Sequence, residues 1–497
     1  MAITSYEFDV LVVGKGNAAL CSALSAHEHG VKVAMLEAAS EDEHGGNSRF
    51  AGGVMRFAYD KVDDLKRITD VTDEEIATSD FGTNTTDEYY DDLYRLTSYR
   101  SDPDLSEILI TQSQDIMAWL RSKGVKFLLN FGRQSGLVNG KRKFFGRMPI
   151  EAHGGGAGLV DYLDKAVKAK GIQVFYNTRA VSLIYDGEKV SGVRAQMNGK
   201  MTEIRAKSVV LACGGFEANP EMRTRYLGPG WELVKVRGSR FNQGDGLKMA
   251  LDIGAAPYGN WSGSHAVGWD RNAPEFGDVS VGDQFQKHSY IFGILVNADG
   301  KRFVDEGWDF HSFTYAKYGG EVLKQPAQFA WQVFDSKVTK LLRSEYRIKM
   351  MTKVSANTLE ELAAKLEGVN PQAFLKTVRE YNASIKKEVQ FDHTIKDGKC
   401  TVGIEPQKSN WAQALDAPPY DAYQTTCGIT FTFGGLRIIK ETGQVMDVHL
   451  KPIPGLYTAG EMVGGLFFFN YPSGTGLVSG AIFGRIAGAG AAQAAKV

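Results

Sequence analysis

Six residues near the start of the chain, Gly14-Lys15-Gly16-Asn17-Ala18-Ala19, fit the pattern G-x-G-x-x-G/A, and an acid, Glu37, follows 23 residues after Gly14. These types at this spacing suit a pyrophosphate and a ribose. Gly14 permits a tight turn, Gly16 lets the backbone approach phosphate, and Ala19 allows close helix packing. Amides at a helix N-terminus would face the phosphates, and Glu37 stands where a ribose-binding carboxylate is needed. The elements that must position these residues are readable on either side. Phe8-Asp9-Val10-Leu11-Val12-Val13 has the composition of a buried parallel strand, a helix-like segment runs to Gly30, and a second strand, Val31 to Leu36, ends at the acid. Dinucleotide binding is the reading favoured over a plain structural turn.

Further along, other strand ends and glycine runs have the same style. The loop from Glu43 to Gly53 carries two Gly-Gly pairs in a form that neither helix nor strand tolerates. Ser208 to Phe216 reads as a buried strand ending in Gly214-Gly215, and Ile453 to Glu461 as a strand, a glycine and an acid. Asn470 to Gly476 leads into a helix rich in Ala and Gly that offers another helix N-terminus. Gly154 to Gly158 before a helix from Leu159 is an anion site or only a turn. Residues 54–100 read as irregular surface, and Asp102-Pro103 opens a helix closed by Gly124. Between Pro257 and Asp392 the character changes to histidines and aromatics. The economical architecture is α/β, a Rossmann-type cofactor domain formed by both chain ends with an inserted α+β cap. Its parts are 1–256, a capping domain 257–392, and a return segment 393–497.

Composition narrows the function class. Lys and Arg total 57 and Asp and Glu 58, so nothing points to nucleic acid. Four scattered cysteines form no C-x-x-C and no metal-type cluster, which suits core thiols of a cytoplasmic protein and predicts no metal. No signal peptide precedes the first strand, and no apolar run is long enough to span a membrane.

Together the fingerprint, Gly45-Gly46-Asn47-Ser48, the strand ending Ala212-Cys213-Gly214-Gly215, and Gly455-Leu456-Tyr457-Thr458-Ala459-Gly460-Glu461 resemble the flavoprotein family of fumarate reductase, succinate dehydrogenase and 3-ketosteroid dehydrogenase. The likeness covers essentially the whole chain. Within the family it is nearest the tricarballylate dehydrogenase and CobZ-like branch, on Gly45 to Phe50, Gly428 to Gly435 and Phe469 to Pro472. The resemblance implies non-covalent FAD, since His44 stands in a different string from the histidine that succinate dehydrogenases join to flavin. For the nucleotide half it implies Gly14, Gly16, Asn17, Ala18, Ala19, Glu37 and Ala38. For the rest of the cofactor it implies Gly46, Asn47, Ser48, Gly52 and Gly53, then Ala180, Val181, Ala212, Gly214 and Gly215, and lastly Gly460, Glu461, Thr475, Gly476 and Leu477.

Departures from the family are as informative. Phe310 stands where fumarate reductases carry an arginine proton donor, with His311 beside it. Tyr471 stands at a substrate-binding arginine, and Thr430 or Phe431 replaces a histidine; His265 matches a substrate-side histidine. Fumarate reduction is therefore disfavoured. The chemistry expected is removal of a proton next to a carboxylate or carbonyl, with hydride passing from the neighbouring carbon to flavin N5. Candidates for the base and the charge-stabilising groups are Tyr471, His265, His311, His288 and Tyr315. A tyrosine base would need a depressed pKa; a histidine needs less tuning. Arg49, Arg56, Arg133 and Arg147 are available as carboxylate forks.

The leading reading is an FAD dehydrogenase acting on the C–C bond of a small acid, tricarballylate by likeness. The alternatives are a desaturase of a cyclic ketone, an enoate reductase, a flavin electron-transfer subunit without its own substrate, and an NAD-dependent Rossmann dehydrogenase. With no cysteine ladder for iron–sulfur or haem, electrons are expected to leave to a separate acceptor, a protein, a quinone-linked carrier or oxygen.

Overall fold

The structure is a computed structural model describing residues 6–497. The opening segment folds as strand Tyr6–Val13, helix Asn17–Glu28 and strand Val33–Leu36. Val10 and Val12 join one core cluster while Leu11 and Val13 join another, so alternate side chains enter opposite layers. Burial on both faces is why the strand reads as a continuous apolar run. It pairs in parallel with Val33–Leu36 on one side and Lys200–Leu211 on the other. Lys200–Leu211 in turn pairs in parallel with Pro452–Thr458, so one eight-stranded sheet draws on both ends of the chain. The expected hairpin around Asp186-Gly187 forms at its side, from Thr178–Tyr185 and Val190–Met197.

The last helix, Thr475–Ala495, lies against the first, Asn17–Glu28. Its small residues are a packing requirement: a methyl group on Gly484 or Gly488 would run into the carbonyl oxygens of Ala18 or Ser22.

A six-stranded sheet forms the second layer. Its spine is the long strand Tyr420–Leu436, which pairs antiparallel with Pro257–Asp270, Phe329–Phe334 and Lys353–Ala356. Ile294–Val296 adds to Phe329–Phe334 at one end, and the short strand Lys235–Val236 pairs in parallel with the spine. Helices Leu359–Lys365 and Pro371–Ser384 cover this sheet with Leu362, Phe374, Val378 and Tyr381. Two of its strands, 235–236 and 420–436, lie outside the 257–392 segment.

Three local readings differ from the structure. Residues 54–100 are not mere surface. Helix Thr86–Leu96, opened by a Thr85/Glu88 capping box, buries Tyr89, Asp92, Leu93 and Leu96, and of the acidic run Asp91-Asp92 only Asp91 faces outward. The segment after Asp102 is two helices, Pro103–Thr111 and Ser113–Ser122, divided at Gln112. The helix expected from Leu159 begins at Gly155. Its glycines are needed inside the first turn, because a side chain on Gly156 would strike the carbonyl oxygen of Ser48. Among the described residues no helix is long and apolar enough to cross a membrane, and no cluster could hold a metal ion.

Candidate active site

One continuous cavity runs from Gly14 and Glu37 at the sheet edge to His311 and Arg343 under the cap. Its first half is made of backbone and small side chains. Gly14 has φ +111°, and a side chain there would collide with the carbonyl of Ala212 on the neighbouring strand. The amide of Asn17, at the start of its helix, donates to Ser48 Oγ at 3.0 Å, which ties the fingerprint to the Gly46–Phe50 turn. Asn47 reaches across to the second sheet, donating to the Thr430 carbonyl at 2.6 Å and accepting from the Ser239 amide at 2.8 Å. Glu37 accepts from the Ala39 amide at 2.8 Å, and burial pushes its carboxyl up to about 7. Glu461 accepts from the Thr432 amide and hydroxyl at 2.7 and 3.0 Å. Beside it lies the fully buried Glu217. Burial, then the Glu461 charge, holds the Glu217 carboxyl well above the ordinary range.

A long dinucleotide fits this half. A Cβ on Gly46 would meet nothing closer than 3.9 Å, and one on Gly476 nothing closer than 3.6 Å, so glycine backbone lies open to the cavity at both ends of the trough. Gly14, Gly16, Asn17, Ala18, Glu37 and Ala38 line it, as do Gly46, Asn47, Ser48, Gly52 and Gly53. Further on come Ala180, Ala212, Gly214, Gly460, Glu461, Gly476 and Leu477. Four expected residues stand off the lining. Ala19 is one position further round its helix and points into the core. Val181 alternates outward from Ala180 and is 48% exposed. Gly215 lies behind Glu461, whose carboxylate would meet any side chain there. Thr475 is buried and receives the Tyr89 hydroxyl at 3.2 Å. His44 is turned away from the cavity, with Nδ1 3.3 Å from Lys15 Nζ beside Asp164.

The second half is polar and aromatic. Tyr471, just before the last helix, and Tyr315, on the cap helix His311–Leu323, have their hydroxyls 2.6 Å apart. Burial raises both phenols above their ordinary pKa, Tyr471 well above. They are therefore hydrogen-bond donors rather than the depressed tyrosine base that was contemplated. His288 packs edge-on to Tyr315 with ring centroids 4.8 Å apart. It lines the cavity, and its Nε2 has no partner. His311 Nε2 faces an Arg343 guanidinium nitrogen at 2.9 Å. Burial, then the charge of Arg343, keeps His288 and His311 neutral.

His265 does not reach the cavity lining. It is fully buried behind the tyrosines, edge-on to Tyr471 and Tyr315 at 4.8 and 4.9 Å and stacked on Phe431 at 5.2 Å. The bulge between His265 and Ala266 sets it there. Phe310 stacks on Phe145 at 5.7 Å, so the position expected for a cationic donor is an aromatic wall.

The arginines also rearrange. Of the four available from the sequence only Arg133 lines the cavity. Arg56 is buried but consumed by the carbonyls of Ser473 and Gly146 at 2.9 Å each and by Asp92 at 3.4 Å. Arg147 pairs with Asp92 and Glu88, and Arg49 with Asp161. The residues missed are Arg237, which donates to Asp283 at 2.6 Å and reaches Thr430 Oγ1 at 3.3 Å, and Arg343. Gln286 links Asp283 to Glu345 at 2.8 and 2.7 Å, so Arg237, Asp283, Gln286, Glu345 and Arg343 form one buried chain. Arg237 follows the strand Lys235–Val236, close to the Asn47 loop only in the folded chain, and nothing local in the sequence marks either it or Arg343.

The chain is similar in sequence and fold to known proteins. The family model described as FAD binding domain matches residues 9–477. A probable fumarate reductase, Ifc3, of Shewanella frigidimarina is 32% identical over 491 residues, 97% of this chain and 74% of that protein. An NADH:fumarate oxidoreductase of Klebsiella pneumoniae is 28% identical over 99% of this chain, which spans only 48% of it. Among solved structures, the open conformation of a flavocytochrome c3 fumarate reductase superposes with a TM-score of 0.74 at 29% identity, covering 99% of this chain and 79% of that one.

Proposed function

The chain belongs to the FAD-binding flavoprotein family that includes fumarate reductases, with FAD as its cofactor, and on that premise we propose that it desaturates the C–C bond beside a carboxylate in a small acid of the tricarballylate type. The observation that carries this reading is the Arg237–Asp283 pair set beside the Tyr315–Tyr471 pair in the cavity of the dinucleotide fingerprint. A pocket for a cyclic ketone would need phenols but few cations; four arginines line this cavity, among them Arg133, Arg237 and Arg343.

When bound, the flavin supplies the acceptor for the hydride. The chain's own residues supply the rest. Arg237, held by Asp283, takes the substrate carboxylate in a charge-assisted fork. Of the protonated Tyr471 and Tyr315 hydroxyls one donates to the other, and the hydrogen that remains is donated to the oxygen that gains enolate-like charge. His288, neutral, lining the cavity and with an unpartnered Nε2, accepts the α-proton. Phe431, Phe433 and Phe467 close the wall against water.

The same reading treats 1–256 and 393–497 as the cofactor domain and 257–392 as the cap. It takes a separate electron acceptor, and a cytoplasmic setting in keeping with four free thiols. Anaerobic addition of tricarballylate to the FAD-loaded protein should bleach the flavin absorbance. Bleaching by a cyclic ketone and by no acid would sink the proposal. Reoxidation of the pre-reduced protein by an enoic acid, without any bleaching by saturated acids, would reverse the direction.

A further inference from the structure

The fourth arginine on the cavity lining, Arg179, stands at the opposite end from the cations under the cap. Its place follows from Glu37. The Thr178 amide donates to the Glu37 carbonyl at 2.8 Å, and the Asn177 amide to the Ala39 carbonyl at 3.0 Å. The start of strand Thr178–Tyr185 is thereby tied to the acid that ends the fingerprint. Beyond that tie the strand pairs only with Val190–Met197, at the side of the sheet. Thr178 and Ala180 are buried, so Arg179 between them leaves from the outward face. Yet Arg179 lines the cavity, and its guanidinium meets Asp245 at the start of helix Asp245–Leu251. Nε and Nη2 donate to the two carboxylate oxygens at 2.7 Å each, a bidentate fork that a lysine cannot make. Asp245 lines the cavity too, and the first turn of its helix favours a negative charge. Leu247, Met249 and Ala250 hold that helix in the core. Among the described residues no other hydrogen bond or ion pair joins 177–181 to 241–247. Most partly exposed ion pairs contribute little, but a bidentate fork between fixed elements is the exception.

We propose that the Arg179–Asp245 fork is a clasp across the Glu37 end of the trough, and that it must open before bound FAD can leave. Arg179 then sets the rate of cofactor release. The proposal concerns the cofactor alone and holds whichever acid is oxidised.

The test is the release of FAD from the loaded protein after dilution, with free FAD collected over time by ultrafiltration. Arg179→Gln and Asp245→Asn should each speed release about fivefold. The double variant Arg179→Gln/Asp245→Asn should match either single variant, because one fork can be lost only once. Arg179→Lys, which keeps the charge without the fork, should fall between the unaltered protein and Arg179→Gln. In about 1 M NaCl, where the Debye length is roughly 3 Å, the unaltered protein and Arg179→Gln should differ by less than about twofold. Arg240→Gln is the control. Arg240 makes an exposed pair with Glu43 at 2.8 Å, and neither residue lines the cavity. Its loss should change release by less than about twofold. Unchanged release in the Arg179 and Asp245 variants overturns the inference, as does a double variant whose effect is the product of the two singles. Faster release matched by a lower denaturant midpoint of the FAD-free protein also overturns it, because the effect would then lie in folding.

Discussion

The two ends of the cavity are built on different plans. The fingerprint end uses backbone amides, glycines and one acid, Glu37, all within a continuous stretch of 24 residues from Gly14. The cap end uses long charged and aromatic side chains, and its members Gln134, Arg237, Asp283, Arg343 and Tyr471 come from separate stretches of the chain. One end recognises a ligand through main chain that the local sequence dictates. The other recognises through side chains that tertiary packing brings together. A cofactor common to many proteins and a substrate particular to one call for these two kinds of site.

The comparison implies that the ends can be broken separately. The largest effect belongs to Gly14→Val. A β-branched side chain at φ +111°, driven into the Ala212 carbonyl, should cost more than ~3 kcal/mol. The purified protein should then carry no flavin, read from its visible absorbance. Next is Glu37. Its carboxyl rises from the ordinary 4.5 to about 7, so the folded protein binds the extra proton between those values. Stability from this group is present below about 4.5 and is lost as pH rises through about 7, by roughly 3 kcal/mol. Denaturant unfolding of FAD-free protein at pH 5 and pH 8 should show that loss relative to Glu37→Gln, in which it disappears. A third change acts at the other end. Tyr471→Phe should keep its flavin yet slow flavin reduction by substrate by about 100-fold in anaerobic single turnover; loss of flavin instead would show that the two ends are not separable. Arg147→Ala, at a partly exposed pair with Glu88 and Asp92, should change turnover by less than about twofold, which tests whether cavity arginines differ from those outside it.

The first plan was legible in its elements and in most of its residues. Strand, turn, helix and acid around Gly14 and Glu37 follow from hydrophobic period and glycine placement, which are local properties. Gly214, Glu461 and Gly476 were legible for the same reason, as strand and helix ends. Val181 and Thr475 failed by a single residue, because the alternation of a strand and the first turn of a helix decide which neighbour faces the ligand. The second plan was half visible. Tyr471 and His311 could be proposed from their neighbours, and the structure puts both on the cavity. Arg56 and Arg237 show the limit: both are buried arginines, and nothing near either reveals that one is spent on the Ser473 and Gly146 carbonyls while the other faces the cavity. His265 shows it too, since one bulge in Pro257–Asp270 moves its ring behind the tyrosines.

The contact between helices Asn17–Glu28 and Thr475–Ala495 has a consequence for biosynthesis. Asn17 Nδ2 donates to the Leu477 carbonyl at 2.7 Å, and the strand beside Lys200–Leu211 arrives only at Pro452. During translation, the fingerprint emerges first and then waits, without its partner helix or its outer parallel strand, for more than four hundred residues. The trough that receives FAD is complete only when the last helix has left the ribosome. FAD loading therefore has to follow synthesis of Thr475–Ala495, and a nascent chain halted before Thr475 leaves the apolar side of Asn17–Glu28 uncovered.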